Sequence, residues 1–239
     1  TTFSKTNPDG SLVNQANVKG FAAVRSAGLD VKTFSTFDAD GNPDTSFALK
    51  AGSKSVLSAD GSIDVLRSAA TVLNTTFSTT NPDGSLVDQL NVKGFEVARK
   101  AGMQVKTFSK FDADGNPDVS YAAKAGSLSI LGADGKVTFT ATAVNVLNTT
   151  FSTSNPDGSL VDQTNVKGFA AARIAGLDVK TFSKFDADGN PDTSFAMKAG
   201  TKSTLVDGKL SVEQSVATVL NTTFSKTNPD GSLVNQANV

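Results

Sequence analysis

Runs of Val, Thr and Phe, six or seven residues long, alternate along the chain with short polar tracts of Asp, Gly, Asn and Pro. VKTFSTF (Val31–Phe37) and TSFALK (Thr45–Lys50) flank the turn-forming DADGNP, which predicts a β-hairpin or a β-arch. SVL (Ser55–Leu57) and SIDV (Ser62–Val65) flank SADG in the same way, and further along a loop shrinks to Asp207-Gly208, a type I′ hairpin signal. AATVLNTTFS (Ala69–Ser78) is a further β-rich run that ends at the turn NPDG, Asn81–Gly84.

Two stretches read both ways. In NVKGFAAVRSAG (Asn17–Gly28) Asn17 suits an N-cap, Val18, Phe21 and Ala22 share a helical face and Gly28 suits a C-terminal left-handed residue; a short helix and a strand are equally compatible with it. SVEQSVATVL (Ser211–Leu220) carries a capping-box pattern, Ser211 with Gln214, whereas its counterpart KVTFTATAVNVL (Lys136–Leu147) looks like a strand. Duplicated segments share one structure, and the Thr-rich version weighs more. Phe3, Phe21, Phe34, Phe37 and Phe47 lie among Val and Leu and are expected in the core.

These patterns repeat. NTTFS occurs at Asn74, Asn148 and Asn221, NVKGF begins at Asn17, Asn91 and Asn165, and NPDGSLV begins at Asn7, Asn81, Asn155 and Asn228, spacings of 74, 74 and 73 residues. The missing residue falls between Leu205 and Leu210, which marks a hairpin tip because tips tolerate deletion best. The period divides the chain into repeats 1–74, 75–148 and 149–221, followed by 222–239, whose 18 residues are identical to 1–18. The expected fold is mainly β: tandem small sandwiches, with one short helix per repeat or an α+β repeat as the variants. Repeats this short bury too little surface to stand alone, so neighbours should share an interface.

VKTFSKFDADGNPDVSYAAKAGSLSILGADGKVTFTATA (Val105–Ala143) resembles the bacterial immunoglobulin-like tandem repeats of invasin and large-adhesin surface proteins. There a strand runs into a DADGNP turn and an ADGKVTFT strand closes the sandwich. The resemblance covers about half of each repeat. It implies an extracellular or cell-surface location and a stalk or adhesion role, and it transfers no catalytic residue.

Charge and composition narrow the chemistry. With 22 basic and 23 acidic residues, net charge −1, no basic stripe is present to neutralise phosphates, so nucleic acid is not an expected partner. No apolar run reaches the length of a membrane span. Cys and His are both absent, which removes thiolate zinc sites, cysteine nucleophiles and the commonest general base; no enzymatic activity is expected. Only Glu96 and Glu213 of the acidic residues are Glu; the Asp remainder gathers beside Gly, Asn and Pro, where short carboxylates cap turns or chelate hard cations.

The candidate site is FDADGNPD, found at Phe37–Asp44, Phe111–Asp118 and Phe185–Asp192. Asp38, Asp40, Asn42 and Asp44, Asp112, Asp114, Asn116 and Asp118, and Asp186, Asp188, Asn190 and Asp192 offer oxygen ligands only, a set that suits Ca²⁺. The loop lacks the spacing and terminal Glu of an EF-hand, and its two readings are a turn alone or a turn that also binds Ca²⁺. The expected role is a structural stalk, fibre or surface filament that associates head to tail with further copies of itself by strand addition at TTFS. The alternative is an adhesin-type module that recognises glycan or a cell surface through copy number.

Overall fold

The computed structural model describes residues 1–228 and 231–239, and among them every regular element is a strand. Repeat one supplies β1 (Thr2–Thr6), β2 (Leu12–Val18), β3 (Val31–Phe37), β4 (Pro43–Leu49), β5 (Ser55–Leu57) and β6 (Ile63–Val65). Repeat two supplies β7 (Val72–Thr80), β8 (Leu86–Lys93), β9 (Val105–Phe111), β10 (Pro117–Ala123), β11 (Ile130–Leu131) and β12 (Val137–Thr138). Repeat three supplies β13 (Val146–Ser154), β14 (Leu160–Lys167), β15 (Val179–Phe185), β16 (Pro191–Met197), β17 (Thr204–Val206) and β18 (Lys209–Ser211), and β19 (Val219–Thr227) with β20 (Leu233–Asn238) follow.

By compactness the chain divides into two units, Thr1–Phe108 with Ala125–Thr140, and Ser109–Lys124 with Ala141–Val239, the division falling inside β9. In the first, β1, β2, β3, β4, β7 and β8 pair antiparallel in chain order. In the second, β10, β13, β14, β15, β16, β19 and β20 do the same. The short pairs β5–β6 and β11–β12 belong to the first unit and β17–β18 to the second. This chain-order meander differs from the Greek-key interleaving of an immunoglobulin sandwich.

Alternation explains why each meander has one apolar face. On β3 and β4, Val31, Phe34, Phe47 and Leu49 are buried and join Ile63 and Val65 of the β5–β6 hairpin and Val72 of β7 in one cluster. The hairpin is thus a lid. The intervening positions make polar cross-strand pairs, such as Ser35 with Ser46 at 3.0 Å and Gln15 donating to Ser4 at 3.1 Å. In repeat two Phe139, just after β12, meets Phe108 edge to face with centroids 6.4 Å apart. Repeat three buries Leu210 and Val212 with its lid.

Of the two readings left open at Asn17–Gly28, no helix forms and the strand stops at Val18, and no helix forms at Ser211–Leu220. Val18 is committed to the sheet, opposite Val31, and Asn17 donates to Thr2 Oγ1 at 3.1 Å instead of capping. Gly20 has φ 74°, a left-handed turn that ends β2 and that other residues adopt only at a cost. The strand expected over Lys136–Leu147 shortens to β12, and the chain re-enters a strand at β13. Phe21 is corrected as well: it is 91% exposed, whereas Phe34 and Phe47 are buried. No helix among the described residues is long and apolar enough to cross a membrane.

Candidate functional site: the seam between repeats

After β2, β8 and β14 the chain leaves the sheet in an irregular loop that begins at Gly20, Gly94 or Gly168, and a threonine on the neighbouring strand pins that loop. Thr75 Oγ1 donates to the Gly94 carbonyl at 2.8 Å and accepts from the Glu96 amide at 3.1 Å. Thr149 repeats the arrangement with Gly168 at 2.8 Å and Ala170 at 3.0 Å. Both threonines are 0% exposed, so their hydroxyls, themselves shielded from water, find partners in the half-buried loop. Thr1 makes the same pair of bonds, at 3.1 Å to Gly20 and 3.0 Å from Ala22, at an exposed position.

The pinned loop reaches back onto the preceding repeat. Phe95 packs on Phe47 with ring centroids 5.9 Å apart. Arg99 Nη2 lies 2.6 Å from Asp44 Oδ1 and donates to the Ser78 carbonyl at 2.9 Å, its guanidinium 5.2 Å from the Phe77 ring centroid. In the second unit Phe169 packs on Tyr121 at 5.8 Å, and Arg173 Nη2 lies 2.6 Å from Asp118 Oδ1 and 2.7 Å from the Ser152 carbonyl. The pairing of each arginine with a carboxylate 55 residues earlier recurs at the same offset. Burial, and then the negative charge of Asp118, push the Tyr121 phenol above its ordinary value.

The structure gives each of the expected calcium ligands its own surroundings. Asp38 Oδ1 accepts from the amides of Asp40 at 3.0 Å and Asn42 at 2.8 Å, and Asp112 and Asp186 do the same for Asp114 with Asn116 and Asp188 with Asn190. This is an Asx turn. Asp40, Asp114 and Asp188 are exposed at the loop tips. Asn42, Asn116 and Asn190 aim their Oδ1 at Gly84, Gly158 and Gly231 of the following NPDG turn, so close that a Cβ on Gly84 would stand 2.7 Å away. Asp44 and Asp118 hold the seam arginines, while Asp192 is exposed and accepts from the Thr193 hydroxyl at 3.0 Å. Among the described residues no three His, Cys, Asp or Glu side chains gather as a metal-holding group.

In the NPDGS turns hydrogen bonds from Ser11, Ser85 and Ser159 lower the carboxyl pKa values of Asp9, Asp83 and Asp157, the Ser11 amide leading at Asp9 and the serine hydroxyls at the other two. Beside the first seam lies a groove of about 610 Å³ lined by Phe47, Phe95, Val56, Leu66 and Val97, with Arg67 at its edge. Sequence reading passed over Phe95 and Arg99 because their partners are distant. The signal that finds them is recurrence: Phe21, Phe95 and Phe169, and Arg25, Arg99 and Arg173, keep one offset in every repeat.

No protein-family model and no curated protein matches this chain. Among solved structures it is similar to "Crystal Structure of TcdB2-TccC3-Cdc42" at 11% identity, TM-score 0.21, over 99% of this chain and 13% of that one. "Crystal Structure of TcdB2-TccC3" aligns at 13% identity, TM-score 0.17, over 94% of this chain and 16% of that one. The chain spans less than a fifth of either, and likenesses of this size carry no argument about fold or function.

Proposed function

We propose that the chain is a structural segment of an extracellular or cell-surface protein, a stalk, fibre or surface filament that grows by adding repeats edge to edge. The observation that carries this reading is the seam. The same threonine pin, aromatic stack and arginine–carboxylate pair are built twice from matching letters, so the way one repeat holds the next is itself part of the repeated sequence. A chain organised this way gains length with each repeat, and its stability is a sum of repeat and nearest-neighbour terms. The reading assigns it no catalytic step; the seam carries its structural part, and the extracellular or cell-surface location comes from the resemblance to invasin-type repeats.

The groove beside the first seam favours a second reading, an adhesin-type module that takes a glycan or surface ligand. The two are separated by protease treatment and electron microscopy of intact cells that make the protein, together with a glycan array probed with the purified chain. The structural reading expects surface cleavage, thin projections and no specific glycan. Protection of the chain from added protease overturns it, and saturable glycan binding lost on Phe95→Ala favours the adhesin.

A further inference from the structure

A net charge of −1 conceals a segregation of charge between the two ends of the strands. In the first unit the tight turns NPDG and DADGN join β1 to β2, β3 to β4 and β7 to β8, so in an antiparallel meander they all fall at one end. They stand side by side there, Gly41 against Ser11 and Asn42 against Gly84, and Asp9, Asp38, Asp40 and Asp83 are exposed. At the opposite end are lysines: Lys19 just past β2, Lys32 near the start of β3, Lys50 just past β4, Lys93 at the end of β8 and Lys106 near the start of β9, all exposed. Lys19, Lys32 and Lys50 line one hollow of about 450 Å³ with Asp30. Lys106 Nζ lies 3.1 Å from Asn74 Oδ1, and Asn74 is flanked by Ala48 of β4 and Lys93 of β8. The second unit repeats the division, with Lys124, Lys167, Lys180 and Lys198 at one end and Asp112, Asp114, Asp157, Asp186 and Asp188 at the other.

The aspartates have local work, as the caps and serine bonds of their turns show. The lysines are not needed to close any turn, and among the described residues no ion pair joins Lys19, Lys32, Lys50, Lys93 or Lys106 to a carboxylate. Lys19, Lys32 and Lys50 recur at the same offset in both later repeats. The one neutralising pair beside them, Asp30 with Lys54 at 2.7 Å, does not recur in repeat two, where Gln104 and Leu128 take its place in the same bridge. The chain thus keeps the uncompensated lysines and varies the compensated one. We infer that a second copy of this chain docks laterally, the lysine margin of a unit in one copy lying along the aspartate margin of a unit in the other. The inference rests on the structural reading above and adds to it a contact across the direction of the repeats.

Distances decide that the two margins act on a neighbour and not on each other. Strands of seven residues set them about 23 Å apart, well beyond the screening length of about 8 Å in physiological salt. Each repeat contributes four strands to its meander, which advances the sheet by about 19 Å, and lysines and aspartates share that spacing. A register that matches one repeat therefore matches the next. Like margins repel, so the orientation of the contact is specified. Each exposed pair is weak, and the strength comes from their number. The contact is heterologous and does not close on itself, so it lines copies up side by side into a layer.

Sedimentation velocity of the full chain over a range of concentrations reads this contact. Multimers should form in about 10 mM salt and disperse in about 1 M, as the screening length falls from about 30 Å to about 3 Å. One triple variant, Lys19→Glu, Lys93→Glu and Lys167→Glu, spoils the lysine margin, and another, Asp40→Lys, Asp114→Lys and Asp188→Lys, spoils the aspartate margin. Alone, each should associate about tenfold more weakly than the parent or worse. Mixed, the two should associate again, the intact aspartates of the first with the intact lysines of the second, which chains that had failed to fold would not do. A parent that is monomeric in low salt overturns the inference, as does association that ignores both variants or is not restored on mixing. So does a monomeric parent that binds polyphosphate through these lysines, which gives the margin to a phosphate polymer instead. None of these results touches the structural reading, which rests on the seams inside the chain and is tested on intact cells.

Discussion

Replacing Thr75 by Val removes one hydroxyl and keeps the β-branched shape, so the strand is undisturbed while the Gly94 carbonyl and Glu96 amide lose their partner. Each such bond is worth about 1 kcal/mol net, and two are lost in a half-buried loop, so the expected destabilisation is roughly 2–3 kcal/mol. For a chain of this length that corresponds to a midpoint lowered by roughly 5–10 °C. The repeats supply internal controls. Thr149→Val should cost as much as Thr75→Val, because Thr149 is equally buried and makes the same two bonds. Thr1→Val removes bonds at an exposed position, where water replaces them, and should cost under about 0.5 kcal/mol. Urea unfolding of the three variants, read as a shift in midpoint at unchanged slope, gives the ranking. Equal losses at Thr75 and Thr1 would refute the claim that the threonine acts through bonds shielded from water.

Thr164→Val should stabilise the chain by about 1 kcal/mol, because the Thr164 hydroxyl is buried without a hydrogen-bond partner and a methyl removes its desolvation penalty; a lower urea midpoint would contradict this. The carboxyls of Asp9, Asp83 and Asp157 have folded-state pKa values below the ordinary 3.8, so their stabilisation is complete above about pH 4 and lost as pH falls through those lower values. Ser85→Ala with Ser159→Ala should flatten the decline between pH 4 and 2 in a denaturation series, and an unaltered slope would remove the serine bonds as its cause. Burial raises the pKa of Asp162, so that group acts in the opposite sense, favouring the folded state as pH falls. Excess chelator should leave the thermal midpoint unmoved, because Asp38 caps its own turn and Asp44 holds Arg99; a drop of several degrees would return calcium to these loops.

Much of this fold is legible in the letters where the determinants are local. VKTFSTF is a strand over the predicted Val31–Phe37, and the one-residue deletion lies at a hairpin tip, where Asp207 and Gly208 have φ 49° and 76° as a type I′ turn requires. The helix-like stretch failed because Val18 and Asn17 had ladder partners more than ten residues away that no local periodicity reveals. The calcium reading fixed on the density of carboxylates within one loop. What the letters of one loop do not show is that Asp44 is held by an arginine 55 residues later, and that Asp38 Oδ1 accepts from the amides of its own turn.

The lids vary while the sheet does not. SADG, GADG and DG tip the three hairpins, one of them a residue shorter, and the seams at Asp44 and Asp118 keep the same 2.6 Å ion pair. Length changes at a tip are absorbed within the hairpin and never reach the ladder that sets the pitch. Ala59–Asp60, Ala133–Asp134 and Asp207–Gly208 are therefore three addressable display positions, where a grafted peptide would recur once per repeat without altering the register of its carrier.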